Sequence, residues 1–146
     1  MRVLGLDLGS KRIGLALSDP DAGLAFPAGT LRSAGRKADI AALCELIRER
    51  GVGRVVVGHP RHMDGRRGPE AESAERFADA LGRAAEIPVD LLDERWTSLE
   101  AERALREMGH SSRRTREHVD EVAAALILRT YLALRQQNPS PKEPPE

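Results

Sequence analysis

A few acids in this chain stand where chemistry explains them more simply than solvation does. Asp7 lies inside an apolar run at the start, Asp93 and Glu94 close a later run, and Asp120 opens the last amphipathic stretch. By the period of two of an extended chain, Leu4, Leu6 and Leu8 share one side of the first run and Val3, Gly5 and Asp7 the other. A carboxylate on a side that must be packed is costly unless a cation stands beside it. Each acid also has a purely structural reading. An acid in the first turn of a helix is stabilised by the macrodipole, which would account for Asp120, and a solvated strand end would account for Glu94. Asp7 is harder to dismiss, and the three positions together are the parts of a hard-cation centre. Two carboxylates about 4 Å apart at an effective dielectric near 20 repel by about 4 kcal/mol, so such a cluster either takes up protons or binds a divalent ion.

Oxygen donors alone suit Mg²⁺ or Mn²⁺ rather than zinc. His59, His62, His110 and His118 lack the spacing of a zinc site, and most of them read as solvated loop histidines. Two hard cations about 3.5 to 4 Å apart activate a water and stabilise the leaving oxygen of a phosphodiester, so the expected chemistry is metal-assisted hydrolysis. The cations of the chain fit that substrate: Lys11 and Arg12 in the first turn, Arg61, Arg66 and Arg67 in one loop, Arg95 beside the acids, and Arg113, Arg114 and Arg116 in a connector. One arginine on a surface means little, but clustering on loops around acids points to phosphate contact. With one Trp, one Tyr and two Phe the chain has no aromatic stacking platform, so backbone and shape recognition is expected.

These residues need a scaffold, and the sequence supplies an alternating one. The runs flanking Gly9-Ser10 read as a hairpin. Residues 22 to 32 form a weaker extended run whose Pro27 suits an edge strand. A helix is expected over about 37 to 50, with Ile40, Leu43, Cys44 and Ile47 at helical spacing and Gly51 as its stop. Val55-Val56-Val57 has the unbroken apolar character of a parallel strand buried on both faces. The charged, period-free segment 59 to 68 is a loop at that strand's carboxyl end. Pro69 opens a helix with the stripe Ala74, Phe77, Ala78 and Leu81. A strand follows at Val89 to Leu92. Thr97 with Glu100 makes a capping box for a helix carrying Ala101, Ala104, Leu105 and Met108. The last helix is expected from about 117 to 137, with Val119, Val122, Ala123, Leu126, Ile127 and Thr130 inward. The predicted architecture is α/β: a mixed five-stranded sheet, three strands antiparallel and then two parallel, with helices on both faces.

At 146 residues the chain reads as one domain over 1 to 137 and a disordered tail, 138 to 146, with four prolines. Equal numbers of basic and acidic residues, 23 each, exclude a global field drawing the chain to a polyanion. The single cysteine, Cys44, rules out an intrachain disulfide framework and reads as a small core residue. No run reaches the roughly 20 apolar residues of a membrane helix, and the start lacks a signal peptide's apolar block, so a cytoplasmic protein with no membrane partner is expected.

Four motifs occur in fixed order: Gly5-x-Asp7-x-Gly9-x-x-Arg12-Ile13-Gly14-x-Ala16-x-Ser18-Asp19; Val57-Gly58-x-Pro60 with Met63-Asp64-Gly65; Asp93-Glu94-Arg95-x-Thr97; and Asp120-x-x-Ala123-Ala124 with Ile127-Leu128 and Tyr131-Leu132. Together they resemble the YqgF family, described as RuvX-type Holliday junction resolvases or pre-16S rRNA nucleases, from Met1 to about Leu134. The resemblance implies an RNase H-like fold and a divalent-metal nuclease acting in ribosome biogenesis, on the 5′ end of precursor 16S rRNA. It implies Asp7, Glu94 and Asp120 as catalytic metal ligands, with Asp93 the substitute for Glu94. Thr97 joins the basic residues named above as an expected nucleic-acid contact. His59 departs from the family's usual apolar residue, Ser98 from a common threonine, and the connector arginines from frequent lysines.

Branched DNA is the competing substrate, and paired cuts in a junction would call for a homodimer. A ribosome-assembly factor that binds nucleic acid without turnover is the alternative outside catalysis. The Asp-x-Gly turn and hairpin are also similar to the phosphate loop of actin-like kinases, but those enzymes close two such domains around ATP.

Overall fold

Alternation in the first strand decides how the layers form. The computed structural model describes residues 1–97 and 113–137. In β1 (Arg2–Leu8) the buried Leu4 and Leu6, with Leu8, pack into one core, while Val3 packs into a second core on the opposite side. β2 (Arg12–Ser18) repeats the division, with Ile13, Leu15 and Leu17 in the first core and Ala16 in the second. The first core is closed by α1 (Arg36–Arg50) through Leu43 and Ile47, and by α2 (Pro69–Ala85) through Ala74, Phe77, Ala78 and Leu81. The second is closed by α3 (Arg113–Gln137) through Ala124, Ile127, Leu128, Tyr131 and Leu132.

With β3 (Ala25–Arg32), β4 (Val52–His59) and β5 (Val89–Asp93) the sheet runs in the order β3-β2-β1-β4-β5. β1 pairs with β2 and β2 with β3 antiparallel; β1 pairs with β4 and β4 with β5 parallel. This is the predicted mixed sheet. Val55, Val56 and Val57 are fully buried, as expected of a strand covered on both faces, and the Pro27 strand lies at an edge. α1 stops at Gly51, whose left-handed backbone (φ 66°) lets its N–H reach the Ile47 carbonyl. The parallel register places the carboxyl ends of β1, β4 and β5 along one edge of the sheet. Ligands of open α/β sheets bind at such an edge.

Three expectations need correction. The last helix begins at Arg113, not near 117, so Asp120 is its eighth residue and no acid occupies its first turn. Macrodipole stabilisation therefore does not explain Asp120. The buried stripe is also rotated by one residue, about 100° of helix. Ala124, Ile127, Leu128, Tyr131 and Leu132 are buried, whereas Val119, Val122, Ala123, Leu126 and Thr130 are only half-buried. The reason is close packing on glycine: a Cβ at Gly5 would stand 2.8 Å from the Leu128 Cβ and 3.1 Å from the Ala124 carbonyl oxygen, so these residues must face the sheet. Finally, His59 is not a loop residue but the buried end of β4. Cys44 is half-buried against the first core. The helix expected after Thr97, with Ala101, Ala104, Leu105 and Met108, and the tail 138–146 lie outside the described residues.

The tightest approach of α3 to the sheet is at Gly14, where a Cβ would lie 2.6 Å from the Asp120 carbonyl carbon and closer still to its oxygen. Both neighbours are backbone and cannot swing aside. Gly14→Ala is expected to cost 3 kcal/mol or more, at or above the upper end of overpacking penalties, in a urea unfolding curve. Stability within about 0.5 kcal/mol of the parent would contradict this packing.

Candidate active site

The site is assembled around Asp7, the penultimate residue of the central strand. Its antiparallel partner is Gly14, and one step beyond the parallel Leu6–Val57 pair lies Gly58 of β4. Each glycine opens space for one further acid. Over Gly14 the backbone of α3 passes at the level of Asp120. At Gly58 a Cβ would stand 2.7 Å from Oε2 of Glu94 and 2.8 Å from Cδ1 of Ile127, so the Glu94 carboxylate fills the room a side chain would take. Asp7 of β1, the Glu94 carboxylate from the turn after β5 and the α3 backbone at Asp120 are thus brought to one edge.

Local structure fixes Glu94 there. β5 ends at Asp93, and Glu94–Trp96 forms a single 3₁₀ turn. The Thr97 N–H and hydroxyl both donate to the Glu94 carbonyl, each at 3.0 Å. Thr97 itself is buried, so its hydroxyl serves this turn and does not face solvent.

The two adjacent acids have opposite environments. Asp93 accepts from the Arg95 backbone N–H at 3.0 Å and from its guanidinium at 2.6 to 3.1 Å, and this pairing holds its carboxyl below the usual range. Glu94 is pushed up to about 7, first by burial and then by the charges of Asp7 and Asp93. Asp7 is pushed up to about 6 by burial and by the charge of Asp120. The electrostatics therefore single out Glu94, rather than Asp93, as the acid sharing a field with Asp7.

The carboxylates as arranged are not a preformed cage. Among the described residues no three His, Cys, Asp or Glu side chains stand close enough together to hold an ion. Asp120 is turned onto Arg12, whose Nε lies 2.8 Å from Oδ2. The donor set nevertheless fits a hard dication: all donors are oxygens, and two of the acids carry an electrostatic penalty that positive charge between them would remove.

Four of the expected phosphate-binding cations have partners within the fold. Arg12 holds Asp120, Arg95 holds Asp93 and donates to the Met63 carbonyl at 3.3 Å, and Arg66 holds Asp64 at 2.7 Å on an exposed surface. Arg67 meets Glu75 of α2 through two bonds of 2.6 Å, and His59 meets the same carboxylate at 2.7 Å through Nε2. These bonds, led by that from Arg67, hold Glu75 down at about 2. The His59–Glu75–Arg67 cluster was not foreseen, although a histidine in a place that usually carries an apolar residue was its signal. It anchors the segment after β4, where Arg61 and Arg67 bridge as a minute antiparallel pair and Arg66 lies near the tip. Arg61 Nε is enclosed without a hydrogen-bond partner. Lys11 is exposed in the turn beside Asp7. Arg113, Arg114 and Arg116 fall in the first turns of α3 and not in a connector.

Comparison with known proteins identifies the family and the fold. The sequence model of the RuvX family, described as Holliday junction resolvase, matches residues 1–134. A protein of Chloroflexus aurantiacus named "Putative pre-16S rRNA nuclease" is 46% identical over 138 residues, covering 94% of this chain and 90% of its own. An Anaeromyxobacter protein of the same name is 49% identical over 132 residues, covering 90% and 96%. Among solved structures, Thermus thermophilus RuvC bound to a Holliday junction superposes with a TM-score of 0.61 at 16% identity, covering 94% of this chain and 96% of that one. The fowlpox virus Holliday junction resolvase gives 0.54 at 10% identity, covering 92% and 99%. These two likenesses show that the fold is that of RuvC-like resolvases, the RNase H-like fold.

A pH dependence follows from Asp7 and Glu94. Their folded values, about 6 and 7, exceed the ordinary 3.8 and 4.5, so between pH 4 and 7 the folded chain binds more protons than the unfolded one. Their contribution to stability is therefore greatest below pH 4 and is lost as pH rises through 6 to 7. In metal-free buffer at pH 8, Asp7→Asn and Glu94→Gln are each expected to stabilise the fold by on the order of 1 to 3 kcal/mol, with little effect at pH 4. Urea unfolding in EDTA at the two pH values checks this; loss of stability at pH 8 would contradict it.

Proposed function

The chain belongs to the RuvX family of nucleases, and on that premise we propose that it hydrolyses phosphodiesters of structured nucleic acid with Mg²⁺ or Mn²⁺ held by Asp7, Glu94 and Asp120. The observation that carries this reading is the placement of Asp7 between two close approaches: the Glu94 carboxylate over Gly58 and the α3 backbone at Asp120 over Gly14. When bound, the cation lowers the pKa of a water and offsets charge on the leaving oxygen.

The residues divide the remaining work. Asp7 supplies the rigid donor, because it sits in the central strand with hydrogen-bonded neighbours on both sides. Glu94 and Asp120 bring donors from the 3₁₀ turn and the helix, on elements fixed by Thr97 and by the α3 contact. Asp7 and Glu94 must be ionised to ligate, and with values of about 6 and 7 each gives up its proton readily on binding near neutral pH. The exposed Lys11 beside Asp7 and the exposed Arg66 near the loop tip serve as backbone contacts.

The substrate we assign is precursor 16S rRNA, cut at its 5′ end during ribosome biogenesis in the cytoplasm. The names of relatives near half identity support it. Branched DNA is the second reading, favoured by the description of the family and by the junction-resolvase fold. It would demand a symmetric dimer for paired cuts.

Asp7→Asn is expected to lower Mn²⁺-dependent cleavage by a factor of 100 or more while changing nucleic-acid affinity measured in EDTA less than threefold. Precursor 16S rRNA and a four-way DNA junction, offered side by side to parent and variant, provide the test. Full activity in the variant would refute the site. Cleavage of the junction alone would reassign the substrate, and cleavage of neither would leave a binding factor.

A further inference from the structure

Arg12 and Asp120 are 108 positions apart in sequence and form an ion pair of 2.8 Å between Nε and Oδ2, with side chains 23% and 29% exposed. The Arg12 backbone cannot shift much. Its carbonyl accepts the Gly9 N–H at 2.9 Å, and the residue pairs with Arg32 of β3 across the sheet. Only its side chain is free to move. That side chain has two competing demands on it: the Asp120 carboxylate on one side, and on the other a rim where exposed Lys11 and Arg32 add positive charge.

A guanidinium on a carboxylate occupies lone pairs that a cation would use, and its charge repels a dication close by. This agrees with the absence of a preformed three-ligand cluster among the described residues. We propose that Arg12 is a metal-released phosphate contact. In the metal-free chain it holds Asp120 in place; a divalent cation takes Asp120 and displaces the guanidinium, which then engages a phosphate of the nucleic acid at the Lys11–Arg32 rim. Metal loading and substrate binding are thereby coupled through one side chain. The proposal rests on the assignment of Asp7, Glu94 and Asp120 as the metal site.

Arginine suits both states, since its planar fork matches carboxylate and phosphate equally well. The exchange needs no backbone motion. It also gives the metal-free site a counter-ion, so that Asp120 does not stand unpaired beside Asp7.

Three readouts test it. By calorimetry, Arg12→Gln is expected to bind Mn²⁺ about threefold to tenfold more tightly than the parent, because a competing positive charge is gone. In nucleic-acid binding with Ca²⁺ against EDTA, checked for absence of cleavage, the salt slope of the parent should steepen by about one counterion more than that of Arg12→Gln. In the unmodified chain, the Arg12 Nε–H resonance should exchange slowly in EDTA and quickly once Mg²⁺ is added, a measurement independent of whether the variant folds. Equal or weaker Mn²⁺ binding by the variant, identical salt slopes, or an unchanged resonance would each overturn the proposal. Asp7→Asn separates the two levels. If it leaves Mn²⁺ affinity intact, the metal site itself is wrong; if it abolishes binding while Arg12→Gln changes nothing, only the role of Arg12 fails.

Discussion

At Gly14 the backbone of α3 lies directly on the sheet, with the Asp120 carbonyl where any side chain would have to go. That contact sets the depth and rotation of the helix, and the rest of the site follows. Gly14 is the ladder partner of Asp7, so the helix backbone comes down beside the one acid of the central strand. Gly5, two residues earlier on the same face, lets Ala124 and Leu128 settle equally close, which fixes the axis as well as the point of contact. On the other flank Gly58 admits Glu94. A strand that alternates leucine with glycine and aspartate thus performs two tasks: its leucine side builds the larger core, and its opposite side is thinned until carboxylates can meet.

Bringing acids together in this way has an electrostatic cost, and the charges around the site show how it is limited. Asp120 is paired with Arg12 and Asp93 with Arg95, while burial and neighbouring charge push Asp7 and Glu94 up to about 6 and 7. Cations that would serve phosphate on a bare surface are here spent on acids, including Arg67 on Glu75. An arginine so paired could contact a phosphate only by leaving or sharing its carboxylate. A single positive group seldom compensates a buried carboxylate cluster as well as a dication does.

Much of this was legible before any coordinates. Period-two alternation in Val3 to Leu8 separated the two faces, and the apolar run Val55 to Val57 marked the buried parallel strand, because both patterns follow from covering a sheet. Asp7 stood out for the same reason. The rotation of α3 was not legible, because Val119, Ala123 and Leu126 make as good an apolar stripe as Ala124, Ile127 and Leu128. The choice between them is made by backbone contact with Gly5 and Gly14, two long-range facts absent from local periodicity. Asp93 and Glu94 were equivalent as neighbours in sequence. They became distinct once a strand ended at the first and a 3₁₀ turn carried the second over Gly58, leaving Arg95 to bind Asp93. His59 and the pairing of the arginines were beyond reach too, since both depend on which acid of α2 or β5 lies across a gap.

The central claim is that Asp7, Glu94 and Asp120 converge to bind a divalent cation. Anomalous diffraction from crystals grown with Mn²⁺ tests it most directly. The account predicts a Mn²⁺ peak at the carboxyl edge of β1, β4 and β5, bonded at about 2.0 to 2.2 Å to carboxylate oxygens of all three residues. A peak coordinated elsewhere, or an edge without manganese while Asp120 stays on Arg12 at saturating Mn²⁺, would contradict it.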